Sequence, residues 1–138
     1  MRAAFLTSML LVASTVRAQT SAQPPARDYL VLVASESVDR VALVRFGPAG
    51  ARVEREKYVG WSKMEVAGPH GVAITPTATE YFVTIAHGTP FGKLVKYDAV
   101  TDTQLGSVML GNFPATAQVS PDGALVFVVN FNLHGDME

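Results

Sequence analysis

The chain of 138 residues has no cysteine, a single tryptophan and only 17% charged side chains, 11 basic against 12 acidic. The missing cysteine excludes disulfides, thiolate metal sites and a cysteine nucleophile. The near balance of charge offers no basic surface for general nucleic-acid binding. Few charges and 49% hydrophobic residues are the reverse of a disordered composition. There is no Gly-rich phosphate loop, no HExxH and no Gly-x-Ser-x-Gly, so the common phosphate, zinc-protease and serine-hydrolase signatures are absent. Beyond the N-terminus no run is long and apolar enough to cross a bilayer, which takes about 20 residues.

What is present begins with an address. Arg2 precedes the uncharged residues 3–16, and the stretch ends in Val16-Arg17-Ala18 ahead of Gln19. A positive start, a short apolar core and a small residue before the cut predict a signal peptide over residues 1–18. Its removal takes away Arg2 and Arg17 and leaves a mildly acidic chain. Residues 19–27 (QTSAQPPAR) read as a disordered leader. The chain is therefore expected to be exported, to the periplasm or outside the cell, with no membrane span after cleavage.

After residue 28 a helical period is hard to find. Runs of β-branched and aromatic residues alternate instead with Gly, Pro, Asp and Thr clusters. Strands are predicted at Tyr29–Ala34, Arg40–Phe46, Arg52–Val59, Gly71–Thr75, Tyr81–Ala86, Lys93–Tyr97, Gln104–Leu110, Thr116–Ser120 and Leu125–Asn130. The class is all-β. Residues 52–57 (RVEREK) alternate in sign, as an exposed outer strand does, where ion pairs contribute little.

The strands repeat. A shift of 45 residues lays Pro69 on Pro114, Ile74 on Val119, Pro76 on Pro121, Phe82 on Phe127 and Val83 on Val128. A shift of 52 lays Tyr29 on Tyr81 and Ala34 on Ala86, and after one residue of slip Leu43 falls on Leu94 and Phe46 on Tyr97. A period of 40–50 residues holding four short strands is the pattern of a β-propeller blade. Turn chemistry agrees: in Ser120-Pro121-Asp122-Gly123 proline presets φ, aspartate caps and glycine takes the left-handed conformation. Thr75-Pro76-Thr77-Ala78 is the degenerate copy one repeat earlier.

Segments GPHGVAITP, EYFVTIAHG, KLVKYDAVTDTQLGSVMLGNFP and SPDGALVFVVN resemble the YVTN-type β-propeller repeat. Second strands reading Tyr81-Phe82-Val83-Thr84 and Phe127-Val128-Val129-Asn130, and an aspartate-led turn at Asp98–Thr101, carry the resemblance. It covers residues 28–138 and implies a seven-bladed ring, usually secreted or periplasmic. Relatives include lactonase-like propellers, surface-layer propellers and propeller subunits of redox enzymes. One fold therefore carries several functions, and activity must be argued from a site.

The expected organisation is strands two to four of a first blade over 28–67, a complete blade over 68–112, and the first two strands of another over 113–138. That is about 2.25 blades, whereas a seven-bladed ring needs roughly 315 residues. The length thus predicts a piece of a longer protein. The competing expectation, a ring assembled from several short chains, has to protect its open strand edges.

Three histidines form the one candidate constellation: His70, His87 and His134, each followed by glycine. Blade topology places all three on one propeller face. Imidazole is the commonest transition-metal ligand, so these three are the candidate metal ligands, with Asp136 or Glu138 as a further carboxylate. No other cofactor is evident. Trp61, in the longer loop between Val59 and Pro69, is a candidate ligand contact on the same face. The function expected is an exported propeller that binds a protein or small-molecule partner on this face, with no nucleic acid. The alternatives are a lactonase-like hydrolase and an accessory subunit of a periplasmic redox system. No catalytic set is visible within these residues.

Overall fold

The computed structural model describes residues 23–87 and 91–131. The predicted signal peptide, the start of the leader, the loop residues 88–90 and everything after Phe131, His134 included, lie outside the described residues.

Nine strands are present: β1 (Tyr29–Ser35), β2 (Arg40–Gly47), β3 (Gly50–Tyr58), β4 (Pro69–Ile74), β5 (Glu80–Ile85), β6 (Lys93–Asp98), β7 (Gln104–Met109), β8 (Pro114–Val119) and β9 (Val126–Asn130). Each matches an expected strand to within two residues. The only helical element among the described residues is a 3-10 turn, Glu36–Val38, between β1 and β2. The strands form three antiparallel sheets in the orders β1-β2-β3, β4-β5-β6-β7 and β8-β9. Strand β4 packs beside both β1 and β8, so the sheets follow one another as blades. The fold is a partial β-propeller.

The repeat is visible in the hydrogen-bond register. Ile74 pairs with Tyr81 and Val72 with Val83; 45 residues on, Val119 pairs with Val126 and Ala117 with Val128. Both ladders break at the same place, after Pro69 and after Pro114. The sequence pattern starts these two strands at Gly71 and Thr116, and the structure carries them back across a bulge to the prolines. A proline lacks the N–H that a ladder needs, so the first residue of a strand is a place that tolerates it. His70 and Ala115 are the residues left over at the two bulges.

The main core lies between the first and second sheets: Val41, Val59, Ala67, Tyr81, Val83, Ile85, Val95 and Tyr97. Burying each large apolar side chain contributes about 1.5–3 kcal/mol. A smaller cluster of Ala86, Phe113 and Ala115 joins the second sheet to the third. Polar bonds cross the same seams. Arg55 of β3 donates to Asp102 at 2.7 and 3.3 Å and to the Ala99 carbonyl at 2.7 Å, and the Tyr81 hydroxyl donates to Asp102 at 3.1 Å. Burial, then the Asp102 charge, push the Tyr81 phenol well above its ordinary value. Thr84, wholly buried, accepts from the Gly71 N–H at 2.7 Å and donates to the Ala115 carbonyl at 3.2 Å.

Candidate functional site

Register fixes which loops share a rim. In the second sheet Pro69 pairs with Ile85, Ile85 with Lys93 and Lys93 with Met109, so these four residues mark one end of the blade. His70 follows the first of them and His87 lies two residues past the second. In the first sheet Ser35 pairs with Arg40 and Arg40 with Tyr58, which puts Glu36 just beyond that sheet's end. In the third sheet Pro114 pairs with Asn130, and Phe113 immediately precedes it.

Four side chains from these positions converge. His87 Nε2 lies 2.9 Å from Glu36 Oε1, within hydrogen-bond distance. His70 Nε2 lies 3.6 Å from Glu36 Oε2, at ion-pair range when the imidazole is protonated. Both rings meet the Phe113 ring edge to face, with centroids 5.0 Å (His70) and 5.2 Å (His87) away. Phe113 in turn stacks on Phe131 at 6.5 Å. The result is a half-exposed carboxylate held by two imidazoles above an aromatic floor. A carboxylate that accepts an imidazole N–H selects the tautomer and fixes the ring plane.

The bulge at His70 explains how this residue reaches the cluster. A bulge leaves one residue out of the ladder and re-aims its side chain. His87 is placed by a relay of backbone bonds. Asp39 is almost wholly buried, and its carboxylate accepts from the Ala67 N–H (2.9 Å) and the Gly68 N–H (2.8 Å). The Ala67 and Gly68 carbonyls then accept from the His87 and Ala86 N–H groups at 2.9 and 2.8 Å. Gly68 has φ +67°, and a Cβ there would collide with the His87 imidazole.

The 45-residue shift lays Phe113 on Gly68. Phe113 also sits in the left-handed region, with φ +51°. That conformation costs a residue with a Cβ about 1–2 kcal/mol, and such strain concentrates at functional positions. Here it accompanies a ring that contacts both histidines.

The remaining predicted site residues are placed as follows. Trp61 is in the β3–β4 connection at 41% exposure, with the Lys93 ammonium 4.1 Å from its ring centroid, and is not part of the histidine cluster. His134 lies outside the described residues, as do Asp136 and Glu138. Among the described residues, which leave out His134, no group of three His, Cys, Asp or Glu side chains is arranged to hold a metal ion; both described imidazoles direct Nε2 at Glu36. A cleft of about 520 Å3 opens beside the 3-10 turn, lined by Ser37, Asp39 and Tyr58 among others, and neither histidine lines it.

Sequence reasoning missed Glu36 and Phe113. Glu36 lies in Ser35-Glu36-Ser37, which reads as an ordinary turn. Phe113 did leave a signal: the repeat shift replaces a loop glycine by a large aromatic residue.

Comparison with solved structures supports the fold. The chain is similar to hydrazine synthase of Kuenenia stuttgartiensis, with a TM-score of 0.60 and 18% identity over 86% of this chain and 32% of that one. It is also similar to the periplasmic gluconolactonase PpgL of Pseudomonas aeruginosa, with a TM-score of 0.52 and 22% identity over 74% of this chain and 31% of that one. The chain spans about a third of the length of either. No family model matches the sequence, and no curated protein matches it. Among the described residues no helix is long and apolar enough to cross a membrane.

Proposed function

We propose that this chain is part of an exported propeller that binds a small polar molecule on the rim formed by His70, His87, Glu36 and Phe113. The observation that carries the reading is the convergence of two imidazoles from the second sheet and one carboxylate from the first over a single aromatic ring. An apolar floor ringed by a few placed polar groups suits a small ring-shaped ligand with hydroxyl or carbonyl oxygens. The export signal read in residues 1–18 supplies the compartment. Calorimetric titration with D-glucose, myo-inositol and 1,5-anhydro-D-glucitol tests the reading. It expects saturable binding of at least one ligand, weakened about tenfold, or roughly 1.4 kcal/mol, in Glu36→Gln and His87→Ala. No binding of any, or unchanged binding in both variants, contradicts it.

One observation favours a second reading, lactone hydrolysis. His87 and Glu36 form an imidazole–carboxylate pair of the kind that serves as a general base, and the fold is similar to that of a gluconolactonase. In this reading the imidazole takes a proton as water adds to the lactone carbonyl. The ring C–O bond then breaks, the proton passes to the leaving oxygen, and the product is the open hydroxy acid. Turnover of sugar lactones that falls about 100-fold in His87→Ala supports it. Rates equal to the uncatalysed reaction across a lactone panel contradict it.

A further inference from the structure

A separate cleft lies where β3 and the connection after it meet the second sheet. It encloses about 190 Å3, and Lys57, Trp61, Lys93, Tyr97 and Gln104 are among its lining residues. It contains none of the residues of the histidine cluster, so it stands apart from the reading above.

Its electrostatics are one-sided. Lys93 Nζ lies 4.1 Å from the Trp61 ring centroid and Lys57 Nζ lies 6.0 Å from that of Tyr97. The lining holds these two cations and no carboxylate. Elsewhere Arg40, Arg45, Arg52, Arg55 and Lys96 each pair with an acidic side chain. Lys57 and Lys93 have no such partner among the described residues. Lys93 is also partly withdrawn from water, and that burial alone lowers its pKa. Two ammonium groups lining one cleft, with aromatic faces as their neighbours, lack a counter-charge there. An anion supplies it, through charge-assisted hydrogen bonds. Gln104 adds a neutral side chain that can donate through its amide.

We propose that this interblade cleft binds a small oxyanion, a carboxylate or a phosphate, between Lys57 and Lys93. Trp61 is the only tryptophan of the chain, so its fluorescence reports on the cleft directly. The full chain is titrated with sodium gluconate, with inorganic phosphate and with uncharged D-glucose, at ionic strength held constant with chloride. The expected result is a saturable change in Trp61 emission with gluconate or with phosphate, and none with glucose. Which of the two anions binds more tightly decides between carboxylate and phosphate.

Lys57→Met is the decisive variant, because Lys57 faces the Tyr97 ring and its loss leaves the Lys93–Trp61 pair in place. It should weaken binding at least tenfold, while Lys57→Arg keeps it within about threefold. Lys57 is on an outer strand and half exposed, so these variants are expected to fold; thermal melting verifies that they do. No saturable change with either anion overturns the proposal. So does equal affinity in wild type and Lys57→Met, or an equal response to glucose.

Discussion

The second and third sheets are two copies of one design, 45 residues apart, in different surroundings. Val83 and Val128 hold the same register position opposite Val72 and Ala117. Val83 is wholly buried and Val128 only partly, and β9, the counterpart of β5, leaves Phe127 61% and Val129 51% exposed where Phe82 is partly and Thr84 wholly buried. Strand identity and pairing do not account for this, because they are shared. The second sheet packs between two neighbours, whereas among the described residues the third sheet has only one. Burial in this architecture is thus a property of stacking between blades, and a blade's apolar residues become core only when both faces are covered.

The same comparison isolates the candidate site. Gly68 and Phe113 share a repeat position and a left-handed backbone, and His70 and Ala115 share a bulge. The backbone device is repeated, while the side chains on it are not. In the second blade it carries a histidine, and at the start of the third a phenylalanine that touches that histidine and His87.

The largest predicted effect comes from Phe113. Its ring is nearly buried, so Phe113→Ala should destabilise by about 2–4 kcal/mol. Phe113→Gly should be more stable than Phe113→Ala by about 0.5–1 kcal/mol, the reverse of the usual order, because glycine relieves the left-handed strain. Denaturant melts of the pair measure this; the ordinary order would break the equivalence with Gly68. Next in size, Val83→Ala should lose about 2 kcal/mol and Val128→Ala under about 1. Equal losses would contradict the stacking account.

A smaller pair of opposite effects lies in the hairpin turns. Gly123 has φ +76° and its counterpart Ala78 has φ +55°. Ala78→Gly should gain, and Gly123→Ala lose, about 0.5–1 kcal/mol, read as shifts in Tm of opposite sign.

The smallest effect is in acid. Hydrogen bonds from Thr101 and Val100 hold the Asp98 carboxyl below its ordinary value of 3.8, and bonds from Ser120 and Ala124 do the same for Asp122. A folded-state value below the unfolded one adds stability above the unfolded value, and that stability is lost as pH falls through the folded value. Tm should therefore decline below about pH 4, and Asp98→Asn and Asp122→Asn should each flatten the decline. Asp98 accepts from Val100 N, Thr101 N and Thr101 Oγ1, and Asp122 from Ser120 Oγ and Ala124 N and from its own backbone.

The fold was legible because its signals are local. Alternating β-branched residues, the Ser-Pro-Asp-Gly turn and the recurring prolines each act within a few residues and recur at one period. The strand starts at Pro69 and Pro114 were not, since a bulge is set by the partner strand. The site was half legible. His70 and His87 stood out by residue type, but Glu36 reaches them from a different sheet, 34 and 51 positions away in the chain. Nothing in the local pattern of a Ser-Glu-Ser turn marks such a contact. Asp39 was missed for the same reason: its buried carboxylate acts on the backbone of residues 67 and 68.

The central claim is that His70, His87 and Glu36 act as one unit across two sheets. Side-chain NMR of the imidazole resonances in wild type and Glu36→Gln tests it most directly. The account predicts that this one substitution moves the signals of His70 and His87 together. A spectrum in which both histidines keep their wild-type shifts, in a variant that is folded, would contradict it.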